Sequence, residues 1–345
     1  MIKLGPDNVL DYLRSNGHLD RDASAKAELL AWGVSNVVLR ISLETGNDFV
    51  LKQSREQLQT KTPWFSRLDR IWRETDFMQT VAPLLPPGVI PHVLFEDREN
   101  YLFAMEAVEA DHVVWKAELL TGRADLQIVR TAGEYLATIH RETAFHEDLK
   151  KRWQDNEVFI QLRVDPFYRS IAEVHPEISL QIKLMIEEMF CHPICAVHAD
   201  FSPKNLLITK RGLSLVDFET GHFGDPAFDL GFFLSHLMLK TVLHADLCGN
   251  FLNLAREFWS RYSQGVEGWT RSGTNPLAEN ELQRRTILHL AGCMLARIDG
   301  TSTIDYLSQQ TQQEFVRNFC RGIFLNPPSS LQEVFQQLQQ QLKNS

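Results

Sequence analysis

Between residues 196 and 231 the chain reads AVHADFSPKNLLITKRGLSLVDFETGHFGDPAFDLG, and no other stretch gathers as many chemistry-bearing side chains. The runs 205–209 and 213–218 have the length and apolar content of strands, and Lys210-Arg211-Gly212 between them is turn sequence, so a β-hairpin is predicted. His198, Asp200, Lys204 and Asn205 precede or open the first strand, and Asp217 and Glu219 close the second. Antiparallel pairing would bring Asn205 and Asp217 to the same end of the hairpin, with Asp200 on the loop just before it. Two carboxylates and an amide oxygen converging on one point suit a hard divalent cation, because magnesium takes oxygen ligands and keeps water or phosphate in its remaining positions. His-x-Asp-x-x-x-x-Asn followed by a later Asp in an apolar setting is the layout that phosphoryl transfer requires. His244-Ala245-Asp246 repeats the first triplet but has no Asn five residues after the Asp and no following hairpin, so it reads as ordinary helix.

The chain has 345 residues, enough for two lobes, and its 44% hydrophobic and 23% charged content is that of a globular protein. No run reaches the roughly 20 apolar residues of a membrane helix. The first residues, MIKLGPDNVLDYLRSNG, lack the apolar core of a signal peptide, so a cytoplasmic location is expected. Five scattered cysteines fit reduced thiols better than a disulfide framework, and Cys191-His192-Pro193-Ile194-Cys195 has no second Cys/His pair to complete a zinc site. A net charge of −9 argues against non-specific nucleic-acid binding and would suit a cationic substrate, although global charge does not fix the field within one cleft.

VHADFSPKNLLI together with LVDFETGHFGDPAFDLG resembles the phosphotransferase motif of the aminoglycoside phosphotransferase and choline kinase group of kinase-like enzymes. The resemblance implies an α+β, bilobal protein-kinase-like fold: a small N-terminal lobe over 1–106 with a five-stranded antiparallel sheet and a helix, and a larger, mainly helical lobe over 107–345. It implies ATP or GTP and magnesium as cofactors and transfer of the γ-phosphate to a hydroxyl of a small molecule such as a sugar, amino alcohol or aminoglycoside. Asp200 would orient that hydroxyl and take its proton, while Asn205 and Asp217 would hold the metal. His198 and Asp229 would pin the catalytic loop. Lys204 either neutralises charge on the transferring group or is a solvated loop lysine. Ala199 stands where the group usually has Gly.

The rest of the chain can be read against this expectation. A helix is predicted over 6–16, then strands over 28–32, 37–43 and 49–52. In the kinase-like reading the turn 33–36 covers the nucleotide phosphates, with Gly33 supplying backbone freedom and Ser35 and Asn36 supplying donors. Lys52 follows Val50-Leu51 and needs solvent or a partner, since a buried lone ammonium is costly. In a helix over 66–82, Glu74 falls on the apolar stripe, unlike Asp69 and Asp76, and is the economical partner. The alternatives are a strand-end lysine reaching water and a helix-surface acid. Four prolines between 83 and 91 end the helix, and a second hairpin follows over 93–96 and 101–105. By analogy the backbone around Glu106 to Val108 would read the adenine edge.

Helical periodicity dominates beyond 110, over 126–140, 178–190, 230–265, 279–299, 305–324 and 331–342. The segment 142–176 is the least regular and reads as a substrate-side insertion. Arg297 and Asp299 end a helix, where they either face the substrate cleft or form a helix-end salt bridge. The Gln-rich tail presents one apolar stripe that would pack on the larger lobe, in a monomer or a homodimer. Seven residues separate Asp217 from Asp225 and no Ala-Pro-Glu follows, leaving no room for a peptide-docking platform. A regulatory protein kinase is therefore disfavoured. A nucleotide-binding pseudokinase stays open as the alternative, against which the joint presence of Asp200, Asn205 and Asp217 speaks.

Overall fold

The computed structural model describes residues 1–30, 35–44, 46–58, 64–268 and 279–344. Two compact units emerge, one of Met1–His112 with Thr209–Thr220 and one of Val113–Ile208 with Gly221–Ser345. The first unit thus extends to His112, beyond the boundary expected at 106, and it includes a short later segment that contains Asp217.

In the first unit, helix α1 (Val9–Ser15) precedes strands β1 (Ala25–Leu29), β2 (Asn36–Leu43) and β3 (Phe49–Ser54); helix α2 (Arg70–Val81) follows, then β4 (Val93–Asp97) and β5 (Leu102–Glu106). The five strands form one antiparallel sheet in the order β1-β2-β3-β5-β4. Side chains alternate between the faces of a strand. Leu39, Ile41, Phe49 and Leu51 therefore share one face, where they bury against Val9 and Leu13 of α1. Lys52, one residue on from Leu51, points to the opposite face, where it meets Glu74 of α2. β3 continues to Ser54 and is buried throughout, so Lys52 lies inside the strand and not at its end.

The second unit is mainly helical. Strand β6 (Val113–Val114) leads into α3 (Trp115–Leu120), α4 (Leu126–Thr143) and α5 (Glu147–Trp153). Next comes a continuous helical stretch made of α6 (Glu157–Phe159), a wide-turned π-helical segment (Ile160–Arg169) and α7 (Ser170–Val174). The segment expected to be irregular is thus largely helix. Helix α8 (Ser179–Phe190) runs toward β7 (Cys195–Val197), which pairs with β10 (His222–Gly224), and β8 (Leu206–Thr209) pairs with β6; β9 (Gly212–Leu215) belongs to the first unit, where Leu215 N–H donates to Val89 O at 2.7 Å.

Helices α9 (Pro226–Leu243), α10 (Cys248–Val266), α11 (Glu279–Asp299), α12 (Gln310–Leu325) and α13 (Leu331–Asn344) complete the chain. α9 is buried on every side over 226–242, the signature of a central helix, and is capped by Asp225, whose carboxylate accepts from Ala227 N–H and pairs with Arg285 of α11 at 2.7 Å. Leu331, Val334, Phe335 and Leu338 of α13 are buried, with Arg256 of α10 over the Phe335 ring. The tail therefore packs within this unit. Among the described residues no helix is long and apolar enough to cross a membrane.

Where α9 and α11 approach, Gly231 allows contact that a larger residue would block. A Cβ there would stand 2.5 Å from His289 Cβ and 2.7 Å from Leu290 N. Gly231→Ala is expected to destabilise the fold by roughly 1–3 kcal/mol through overpacking. Gly322→Ala in α12, where nothing lies within 4 Å, should be neutral or stabilising. Thermal denaturation of the two variants beside the parent tests the contrast.

Candidate functional site

Charge is concentrated in the first unit around Lys52. Its Nζ lies 2.8 Å from Glu74 Oε1 and 2.6 Å from Asp217 Oδ1. Glu74 Oε1 also accepts from Phe218 N–H at 3.2 Å, which ties α2 to the segment carrying Asp217. Asp217 itself has φ +72°, a left-handed conformation that Asp tolerates better than most residues. Both sequence expectations for this pair, a buried lysine and an inward-facing glutamate, describe what is found: Lys52 is 5% exposed and Glu74 is fully buried.

Sequence reasoning gave Glu219 no role, yet it organises the other half of this cluster. It accepts from Asn36 Nδ2 at 2.8 Å, from the Ser35 hydroxyl, and from Arg70 Nε at 3.0 Å. Arg70 is buried and donates onward to the backbone carbonyls of Ser35, Arg55 and Arg67. The side chains of Ser35 and Asn36, expected as phosphate donors, are thus engaged with Glu219. Gly33 lies outside the described residues. Glu106 closes β5, its N–H donating to His92 O at 2.9 Å, and Val108 O accepts from Arg40 at 3.0 Å.

Carboxylate oxygens of Glu74, Asp217 and Glu219 all lie within 4.8 Å of one another. Three acids thus share two cations, Lys52 and Arg70. Burial opposes the charge on Lys52, but Asp217, Glu74 and Glu219 outweigh it and hold the ammonium protonated. Burial pushes the Glu74 carboxyl up to about 7, with Lys52 opposing and Asp217 and Glu219 reinforcing the shift. Its Oε2 is buried without a hydrogen-bond partner. An all-oxygen donor set with an orphaned carboxylate oxygen fits magnesium.

The second unit holds the loop that opens the sequence motif. β7 ends at Val197, and the backbone then turns under the control of one buried acid. Asp229, in the first turn of α9, accepts from the N–H groups of His198 and Ala199, each at 2.7 Å. His140 Nε2 of α4 lies 3.2 Å from the same carboxylate, and its Nδ1 lies 2.9 Å from the Tyr262 hydroxyl. Burial would raise the Asp229 carboxyl, but these donors and His198 hold it below its ordinary value. Ala199 has φ +58°, which explains why glycine is the easier residue here. His198 Nδ1 accepts from Asp200 N–H at 3.2 Å.

Asp200 is ringed by donors. Asn205 Nδ2 reaches both its backbone oxygen and its Oδ2 at 2.9 Å, and Lys204 Nζ is 2.7 Å from Oδ2. Arg163, from the π-helical segment, places Nη2 2.7 Å from Asp200 Oδ1 and donates from Nε to Ala199 O at 2.7 Å. Lys204 is therefore engaged with Asp200 and not merely solvated. Arg163 escaped the sequence reading. A lone Arg between Leu162 and Val164 was the available signal. The residues at the end of α11 divide: Asp299 forms the helix-end pair, with Arg317 at 2.7 Å and His175 at 2.9 Å, while Arg297 turns toward Phe167 and Phe232.

A family model described as the phosphotransferase enzyme family matches residues 26–272. The chain belongs to that family. Among curated relatives, the methylthioribose kinase of Citrobacter koseri is 25% identical over 265 residues, spanning 68% of this chain and 65% of the relative. Among solved structures, choline kinase from Cryptosporidium parvum aligns with a TM-score of 0.57 at 11% identity, over 99% of this chain and 100% of that one. A choline/ethanolamine kinase family protein from Mesorhizobium loti aligns with a TM-score of 0.51 at 15% identity, over 96% and 99%. The fold is accordingly protein-kinase-like.

The elevated Glu74 value has a testable consequence. A folded-state value of about 7 against an ordinary 4.5 means the folded chain holds this proton more tightly. The associated stability is fully present below the ordinary value and is lost as pH rises through about 7. Without added metal, the melting temperature of the parent should fall more steeply between about pH 5 and about pH 8 than that of Glu74→Gln. Parallel slopes would mean that Glu74 is ionised throughout.

Proposed function

We propose that the protein is an ATP-dependent kinase that transfers the γ-phosphate to a hydroxyl of a small molecule. The observation that carries this reading is the buried Lys52–Glu74 pair with Asp217 against the ammonium, in a chain of the phosphotransferase family. In kinase-like enzymes such a lysine steadies the α- and β-phosphates and the glutamate fixes its position. The methylthioribose kinase relative, matched over about two thirds of its length, supports a small acceptor.

In the first unit, Lys52 would bind the nucleotide phosphates with Glu74 setting its rotamer, and the partly exposed Asp217 would offer an oxygen to magnesium. Readout of the adenine edge would fall to the Glu106 carbonyl and the Val108 amide, and cover of the phosphates to the turn bearing Gly33, Ser35 and Asn36. In the second unit, Asn205 spends its amide nitrogen on Asp200, which leaves its Oδ1 as the atom suited to a metal. Magnesium, when bound, neutralises phosphate charge and orients the transferring group. Asp200 orients the acceptor hydroxyl and takes its proton as that oxygen bonds to the γ-phosphorus and the bond to the β-phosphate oxygen breaks. Lys204, beside Asp200, balances charge on the transferring phosphoryl. Asp229 and His198 hold the loop so that this carboxylate is aimed before substrate arrives, the kind of positioning on which such transfer depends.

Asp200→Asn is expected to lower turnover by about a hundredfold to ten-thousandfold while nucleotide binding persists. Asp217→Ala should instead weaken nucleotide binding in magnesium and leave magnesium-free binding little changed. Release of ADP across a panel of hydroxylated metabolites, with calorimetric titration of nucleotide in both metal conditions, separates the two effects. Normal turnover by Asp200→Asn would remove the base assignment.

A further inference from the structure

The second unit buries more positive charge beside Asp200 than its own acids neutralise. Arg163 and Arg297 lie against the same two rings: the Arg163 guanidinium is 5.7 Å from the Phe167 centroid and 5.6 Å from that of Phe232, and Arg297 is 4.9 Å and 5.8 Å from them. Arg163 is matched by Asp200. Arg297 forms no ion pair among the described residues; Asp200, already paired with Arg163 and Lys204, acts on it only from a longer range. Although 9% exposed, it donates only to the neutral Ser302 backbone and hydroxyl oxygens at 2.9 Å, and its Nε is buried without a partner. Asp299, two residues on, is consumed by Arg317 and His175.

Lys240 repeats the anomaly. It is fully buried in α9, donates only to His236 O at 3.3 Å, and sits 5.1 Å from the Tyr306 ring centroid. The Tyr306 hydroxyl and His236 Nε2 are likewise buried without partners. Burial, with Lys116 and Arg297 alongside, pushes Lys240 down to about 7. Burial and the surrounding cations Arg297, Lys240, Lys204 and Lys116 push the His236 imidazole well below its ordinary value. Besides Asp200, the exposed Asp305 beside Lys116 adds a carboxylate on this side among the described residues. An uncompensated buried cation is costly, and an unpaired buried donor adds its own desolvation penalty. A bound anion removes both costs.

We propose that the acceptor is an acidic, hydroxyl-bearing small molecule whose carboxylate or phosphate group is held by Arg297 and Lys240, with the Tyr306 hydroxyl and His236 Nε2 completing the contact. This rests on the kinase reading and narrows it. It also reverses the inference from net charge: the chain as a whole is acidic, but the surroundings of Asp200 are basic.

The test pairs acids with matched neutral and cationic alcohols: D-glycerate and glycerol 3-phosphate against glycerol and ethanolamine, and D-gluconate against sorbitol. The first readout is the melting temperature of the intact chain without nucleotide, at constant ionic strength. The acids should stabilise the parent and lose that effect in Arg297→Met and in Lys240→Met, while the alcohols and sodium chloride do nothing. The second readout is phosphate transfer with saturating magnesium and ATP. The KM for the preferred acid should rise about thirtyfold in Arg297→Met and recover partly in Arg297→Lys. A preference for neutral or cationic acceptors overturns the proposal, as does an Arg297→Met defect confined to the KM for ATP. So does the absence of stabilisation by any acid, even if transfer to another alcohol is found. Stabilisation by acids with no transfer to any alcohol overturns the kinase reading and leaves an anion site. If both methionine variants fail to fold, Tyr306→Phe serves in their place, with a weaker loss of acid stabilisation expected and an unchanged shift counting against the proposal.

Discussion

An ammonium placed in the middle of a buried strand has to be answered by carboxylates, and much of the first unit follows from how Lys52 is answered. The strand is needed for the sheet, so the lysine cannot move, and at 5% exposure it has little access to water. Glu74 comes from the one inward-facing acidic position of α2. Asp217 comes from a residue held in a left-handed turn, tethered by its neighbour's N–H to the same Glu74. Bringing Asp217 and Glu219 beside Glu74 creates an excess of negative charge, which Arg70 offsets from the start of α2. α2 therefore carries both an acid and a base into the cluster, one turn apart.

The second unit solves a related problem with backbone. The Asp229 carboxylate lies in the first turn of a fully buried helix, where α9 favours negative charge, and it accepts two consecutive loop N–H groups. Those two bonds impose the left-handed conformation on Ala199 and aim Asp200. Arg163 then closes the loop from outside by binding both the Ala199 carbonyl and the Asp200 side chain. Backbone strain at one residue is thus over-determined by contacts from helix, strand and loop.

Much of this was legible in the sequence because it is local. The strands β2 to β5, the stripe that places Glu74 inward, and α11 over 279–299 all follow from periodicity. Other features were hidden for physical reasons. Glu219 and Arg70 are 149 positions apart, and no pattern along the chain signals that two such residues meet. Arg163 lies in a π-helical stretch, whose wider turn scrambles the 3.6-residue stripe and made 142–176 look irregular. Lys240 is visible as a single charge in the apolar run FFLSHLMLKTVL, but helical periodicity does not say what answers that charge. Ser35 and Asn36 stand out as polar residues at a predicted turn, but their partner Glu219 is visible only in three dimensions. The net charge of −9 does not reveal the cations buried near Asp200, since a sum over the chain carries no information about one buried neighbourhood.

All five cysteines are free, and four are buried while Cys191 is exposed. The exposed thiol stands at the end of α8, four residues before β7 and hence shortly upstream of the Asp200 loop. A maleimide dye or spin label applied to the native chain under mild conditions would therefore attach at a single position. Fluorescence or paramagnetic measurements could follow that region without first removing any other sulfur.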